Sequence, residues 1–140
     1  MSRESGIWRL IKANIDTVHF ARIEAWNAQG IADLNGCEKS TGIEFWVELK
    51  MAKGNKVEFR QYQIPWILNR AKARGRVFIF VRKGDIFYLY KGEHAREVQT
   101  HGILYEPLAM WPKPWPWSEI LKYWTGNTRS VAKDALRIQN

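Results

Sequence analysis

The sequence predicts an α/β fold, a mixed β-sheet flanked by helices, and three observations carry that expectation. The stretch "GIEFWVELK" at 42–50 is a near-continuous apolar run of strand length, the pattern of a central strand covered on both faces. The stretch "RVFIFVRKGDIFYLYKG" holds two strand-like runs on either side of Lys83, Gly84 and Asp85, which reads as a hairpin. Between them "RQYQIPWILNRAKARG" has helical character, and another helical stretch opens the chain. The order is helix, three strands, helix, two strands, which layers helices over one sheet. With 140 residues, 46% of them hydrophobic, the chain has the length of one domain and the material for a core.

Each element has its own signal. Ile7, Leu10 and Ile11 fall at helical spacing in "SRESGIWRLIKANI", with Ser2 or Ser5 as the cap. "TVHFARIEAW" alternates as a strand on Val18, Phe20 and Ile23. The Gly- and Asn-rich "NAQGIADLNGCEKSTG" implies a turn leading into a short strand at 31–35. The apolar strand occupies 43–50, and the polar, basic "MAKGNKVEF" follows as a loop. Pro65 is tolerated in a first turn, so the next helix starts near Gln63, and Gly75 after Lys72 and Arg74 serves as its C-cap. Strands at 77–82 and 86–90 make the hairpin. "EHAREVQTHG" is a short helix or an extended connection. In "MWPKPWPWSEILKYWTG" alternating Pro and Trp lead to a helix capped by Ser118 and ended by Gly126, and "NTRSVAKDALRIQN" closes the chain as a fraying helix. No repeat or linker divides the chain, so 1–140 is a single domain. Trp is costly to expose, so most of the eight Trp residues belong in a core or an interface.

The formal charge is +8, and a small basic domain most often meets a polyanion, of which nucleic acid is the commonest. The plainer alternative is a basic surface that serves solubility. A membrane surface is disfavoured, because no segment joins a cationic face to a clean apolar one. The single cysteine, Cys37, excludes an intramolecular disulfide and fits a reducing compartment. The first residues carry no signal-peptide run, and no apolar stretch is long enough to span a bilayer, so a cytoplasmic location is expected. His19, His94 and His101 are scattered without metal-ligand spacing.

The apolar strand ends unexpectedly, on Glu48 and Lys50. Two residues apart in a strand, they point to the same face. Burying an unpaired ion costs several kcal/mol, so charges in a central strand call for a reason. Asp33 lies in the preceding strand, and hairpin-like pairing brings it towards Glu48. Two adjacent carboxylates repel, and a divalent cation relieves that repulsion; oxygen ligands suit Mg²⁺. Lys50 is then placed to orient a water or to steady charge on a phosphate. The alternative is a salt-bridged Glu–Lys pair closing a strand. Glu-x-Lys alone is a weak signal, strengthened here by the upstream Asp and the basic chain.

"GIADLNG…GIEFWVELK…QIPW" resembles the PD-(D/E)XK nuclease superfamily, in which an Asp, then Glu-x-Lys on the next strand, form the metal site. It is most similar to the small Holliday-junction resolvase-like and VRR-NUC-like branch. The resemblance implies a restriction-endonuclease-like core and the catalytic set Asp33, Glu48 and Lys50. It adds the backbone carbonyl of Leu49 as a metal ligand, Gln63 on the following helix, and Glu4 as the acidic residue of the first helix; an exposed Glu near a helix start is the alternative for Glu4. It implies Mg²⁺, with Mn²⁺ as the other option. Ala32 stands where the family name advertises Pro, which is a loop preference and not a ligand. The resemblance spans roughly residues 4–90, leaving 91–140 as a Trp/Pro-rich and helical extension.

Candidate nucleic-acid contacts are Lys53, Lys56, Arg60, Arg70, Lys72 and Arg74 after the motif, with Arg22 on the strand before it. Residue by residue, a solvated surface charge is the alternative. Tyr62 stacks on a base or sugar, or sits in the core. The Trp/Pro segment is a partner interface or a lid of aromatics on the sheet. The expected function is a metal-dependent DNA endonuclease, structure-selective like a junction resolvase, acting as a homodimer in recombination, repair or phage DNA processing, in a bacterial or phage-infected cell. A flap, nicking or restriction-like nuclease is the alternative with the same chemistry. A nucleic-acid-binding module without catalysis is the alternative of another class.

Overall fold

A computed structural model describes residues 3–23 and 29–126. These residues form one six-stranded mixed sheet flanked by four α-helices, an α/β architecture compatible with a restriction-endonuclease-like core. Helix α1 (Arg3–Asn14) precedes β1 (Val18–Arg22), β2 (Leu34–Glu38) and β3 (Glu44–Met51); α2 (Gln63–Lys72) leads to β4 (Val77–Lys83) and β5 (Ile86–Lys91); α3 (Ala95–His101), β6 (Ala109–Pro112) and α4 (Trp117–Thr125) follow. The strands lie side by side in chain order. β3 and β4 pair in parallel and the other neighbours pair antiparallel. A parallel pair needs a crossover, and α2 is that crossover. It therefore starts at the C-terminal end of β3 and returns to the N-terminal end of β4.

Alternation along the strands sorts the core into two layers. Val47, Leu49, Phe78, Phe80, Phe87 and Leu89 face α1 and α4, meeting Ile7, Ile11, Ile120 and Trp124. Phe80 stacks on Phe87 at 4.3 Å between ring centroids, and Phe45 on Trp124 at 5.4 Å. Ile79, Val81 and Tyr90 face α2 and α3, meeting Ile64, Ile67, Ala95 and Val98. β3 is covered on both faces, as its apolar run predicts. Glu48 and Lys50 alternate with Val47 and Leu49, so they turn towards the α2 side.

Several boundaries differ from the expectation, each for a physical reason. The second strand is 34–38, not 31–35, so Asp33 precedes β2 instead of lying within it. Gly36 belongs to the strand because the ring of Phe45 lies over it; a Cβ there would come within 2.5 Å of that ring. At the end of α2 the left-handed residue is Arg74 (φ 66°), not Gly75. Gly75 donates its N–H to the Arg70 carbonyl at 2.9 Å, and its missing Cβ leaves room for the Arg70 side chain. Helix α4 follows Pro116, and Ser118 sits inside its first turn instead of capping it. Gly126 (φ 83°) ends it as expected. The Trp/Pro stretch contributes a strand, β6, at the sheet edge, where Pro112 has no ladder N–H to withhold. Trp111, Ile120 and Trp124 are buried with the residues of β3 to β5, so the core runs well past residue 90 and the aromatics cover the sheet. The closing helix expected at 127–140 lies outside the described residues. Among the described residues no helix is long and apolar enough to cross a membrane.

Candidate active site

The C-terminal end of β3 is where the chain gathers its unusual polar groups. Trp46 in the strand donates its N–H to the carbonyl of Arg76 on the β4 side, and Ala52, the residue just past the strand, to that of Arg82, so the even-numbered residues bond β4. The odd-numbered ones turn their N–H and C=O towards β2. The β2–β3 ladder ends at the pair Leu34 and Val47. Beyond it, Leu49 finds no strand, and its N–H donates instead to Asp33 Oδ2 at 2.8 Å. Asp33 is thereby fixed against β3. By the same alternation the Leu49 carbonyl opens onto the edge that Asp33 occupies.

Glu48 is fully buried, and with the site ionised neither of its carboxylate oxygens has a hydrogen-bond partner among the described residues. Burial raises its pKa well above the ordinary carboxylate range; Asp33 adds to the rise, as an acceptor for the protonated carboxyl and as a like charge. Lys50 and Arg60 pull the other way without prevailing. The fully buried Glu48 carboxyl thus lies beside the half-buried Asp33 side chain, and Glu48 ionises there only at a cost.

Lys50 is also buried, with 6% of its surface exposed. Its Nζ donates to Gln63 Oε1 at 2.8 Å and lies over the Phe59 ring, 4.9 Å from the centroid. Burial lowers its pKa; Glu48, Asp33 and Glu4 resist that fall, and Arg60 adds to it. Gln63 is oriented by a second bond, since the Arg60 N–H donates to the same Oε1 at 2.7 Å. One side-chain oxygen thus ties the Lys50 ammonium to the loop that opens α2.

The described residues contain no group of three or more His, Cys, Asp or Glu side chains placed to hold a metal. Asp33 and Glu48 with the Leu49 carbonyl form a smaller, all-oxygen set. Such a set fits Mg²⁺, which keeps several waters and takes few protein ligands. The orphaned Glu48 oxygens are what a cation would satisfy.

Asp33, Glu48, Leu49, Lys50 and Gln63 are brought together as the sequence predicts, and Glu4 on the first turn of α1 is near enough for its charge to act on Lys50. Of the candidate nucleic-acid contacts, Arg22 ends β1 opposite Leu34, and Lys53, Lys56 and Arg60 lie in the loop after β3, all at this end of the sheet. Lys53 also pairs with Glu58 at 3.1 Å, an exposed bridge of small energetic value. Arg70, Lys72 and Arg74 lie at and just past the last turn of α2, away from the Lys50–Gln63 contact at its start. The crossover direction carries the end of α2 to the opposite end of the sheet, about 15 Å away at 1.5 Å per residue. Arg70 there lies over two rings, 5.1 Å from Trp46 and 4.8 Å from Trp66, where it holds packing together. Sequence reasoning missed Phe59 beneath Lys50 and Lys83, whose Nζ bonds Asn55 Oδ1 at 3.2 Å beside the same loop. It also missed Gly30, whose φ of 81° no side chain signals, although "QGIAD" places a glycine just ahead of Asp33.

No protein-family model matches this chain, and no curated protein matches it.

Proposed function

We propose that this chain is a Mg²⁺-dependent endodeoxyribonuclease of the PD-(D/E)XK kind, structure-selective in the manner of junction resolvases and working as a homodimer. A second copy supplies the second site that symmetric cutting of two strands requires. Recombination, repair and phage DNA processing are the settings for that chemistry. The observation that carries the reading is the pair of orphaned, buried Glu48 oxygens beside Asp33, with Lys50 held two residues away. A structural salt bridge between Glu48 and Lys50 would satisfy those oxygens; instead Lys50 bonds Gln63.

Asp33, Glu48 and the Leu49 carbonyl would hold the metal, and when bound it supplies Lewis-acid polarisation of a phosphate oxygen. The chain's own residues do the rest. Lys50 keeps two of its three N–H bonds for ligands once Gln63 has taken one. It directs them at the attacking water and at the charge gathering on the phosphate. In the hydrolysis the water oxygen bonds to phosphorus, the P–O bond to the leaving strand breaks, and a proton passes to that leaving oxygen. The apolar wall of Phe59 and the packed β4 side keep bulk water from screening these charges. Arg22, Lys53, Lys56 and Arg60 take flanking phosphates, without reading bases.

The test is Asp33→Ala beside wild type on a labelled panel of four-way junction, flap, linear duplex and single strand. Metal-dependent cutting that the variant loses while it still binds supports the proposal. Binding by wild type without cutting, in Mg²⁺ or Mn²⁺, would leave only a nucleic-acid-binding module.

A further inference from the structure

We propose that Tyr62 is the residue that grips the nucleotide beside the reacting phosphate, by stacking its ring on the base. The inference rests on the nuclease reading and adds a specific contact to it. Tyr62 is the residue before α2, and its backbone is left-handed, with φ 75° and ψ −13°. That conformation suits glycine and strains a residue with a bulky side chain. The backbone is held there from two sides. The Tyr62 carbonyl accepts the Trp66 N–H at 3.1 Å, and Gly30 packs against that carbonyl so closely that a Cβ on Gly30 would lie 2.0 Å from it.

Strain of this kind persists where something depends on it, and the side chain is what glycine would lack. Yet the side chain supports nothing in the fold. Tyr62 is 55% exposed, and among the described residues its side chain has no hydrogen-bond, ring or ion partner. It is not a core residue, and although it holds the N-cap position of α2, its side chain makes no capping hydrogen bond. Its position explains it better. Gln63, the next residue, touches Lys50, and Gly30, the residue pressed on its backbone, is three positions before Asp33. Tyr62 thus stands in solvent at the seam of the two segments that build the site. An aromatic ring there meets the base or sugar next to a phosphate that Lys50 engages. Stacking tolerates every base, which fits a surface with cations and no base-reading pattern.

The experiment measures binding of a fluorescent single-stranded oligonucleotide in a Glu48→Gln background, where no strand is cut, together with thermal melting. Tyr62→Gly is expected to weaken binding by roughly 5- to 150-fold, the factor for one stacked base, while melting no lower than its parent because strain is relieved. Tyr62→Phe is expected to bind like the parent. An abasic residue at one position of the oligonucleotide reproduces the loss in the parent and adds nothing in Tyr62→Gly. Equal binding by parent and Tyr62→Gly overturns the stacking role and leaves the nuclease reading in place. A parent that binds no single-stranded oligonucleotide likewise overturns the stacking role, while the nuclease reading stands or falls on the cleavage panel.

Discussion

Glu48→Gln removes one negative charge from a pocket that holds two carboxylates and puts an amide N–H where Asp33 can accept it. In the metal-free protein the Glu48 oxygens are buried and unpartnered, and leaving a buried polar group unsatisfied costs about 1–3 kcal/mol. The variant relieves that cost, so in chelator it is expected to be more stable than wild type. At this chain length each kcal/mol moves Tm by roughly 3–5 °C, which gives a rise of roughly 3–15 °C. The pH dependence has a defined sign. The folded pKa of Glu48 is raised by burial and by Asp33. At low pH the group is protonated folded and unfolded, and wild type carries no penalty. As pH climbs through the window between the ordinary and the raised value, the unfolded chain sheds its proton first, and wild type loses stability. The gap between the two proteins should therefore open as pH rises above the ordinary carboxylate range and widen up to the raised folded value. Mg²⁺ is expected to stabilise wild type by about 2.7 kcal/mol at a hundredfold excess over Kd, seen as a higher Tm, and to do little for the variant. Melting followed by circular dichroism, in chelator and in Mg²⁺, reads all of this. A variant that melts below wild type at the upper end of that pH range in chelator would show that the carboxylate already has its partner, and the case for a cation site would fail.

Four further variants probe neighbouring contacts. Gln63→Ala strips the Lys50 ammonium and the Arg60 N–H of their shared acceptor, so it should destabilise the fold by about 1–3 kcal/mol and depress cutting; chemical denaturation and a kcat measurement check both. Gly30→Ala drives a Cβ to within 2.0 Å of the Tyr62 carbonyl at a φ of 81°, and a loss of about 1–3 kcal/mol, seen as a lower denaturation midpoint, is expected. Arg60→Ala should lower the slope of log K against log salt for DNA binding by about one, whereas Arg70→Ala should leave the slope unchanged and reduce stability by about 0.5–2 kcal/mol.

The features legible in the amino-acid sequence are those set by local periodicity. The two-residue strand repeat alone puts Glu48 and Lys50 on one face, and the apolar run around them announces that the face is buried. Gln63 is legible because Pro65 locates the start of α2. What stays hidden depends on packing across the chain. Gly36 looks like a turn residue until Phe45 is seen to fill the space above it. β6 looks like loop because its prolines matter only at an inner strand. Arg70, Lys72 and Arg74 follow the motif closely in sequence, yet a crossover helix carries its last turn away from the strand end it left. Tyr62 and Gly30 hide for a related reason: the contact that strains one and requires the other joins segments about thirty residues apart.

The most direct measurement is strand cleavage of a four-way junction labelled on each strand, in Mg²⁺ and in chelator, by wild type and by Lys50→Met. The account predicts paired cuts by wild type in Mg²⁺, lost in chelator and in the variant, with junction binding kept by both proteins. Cutting that survives in Lys50→Met, or a folded wild type that binds and never cuts any DNA in either metal, would contradict it.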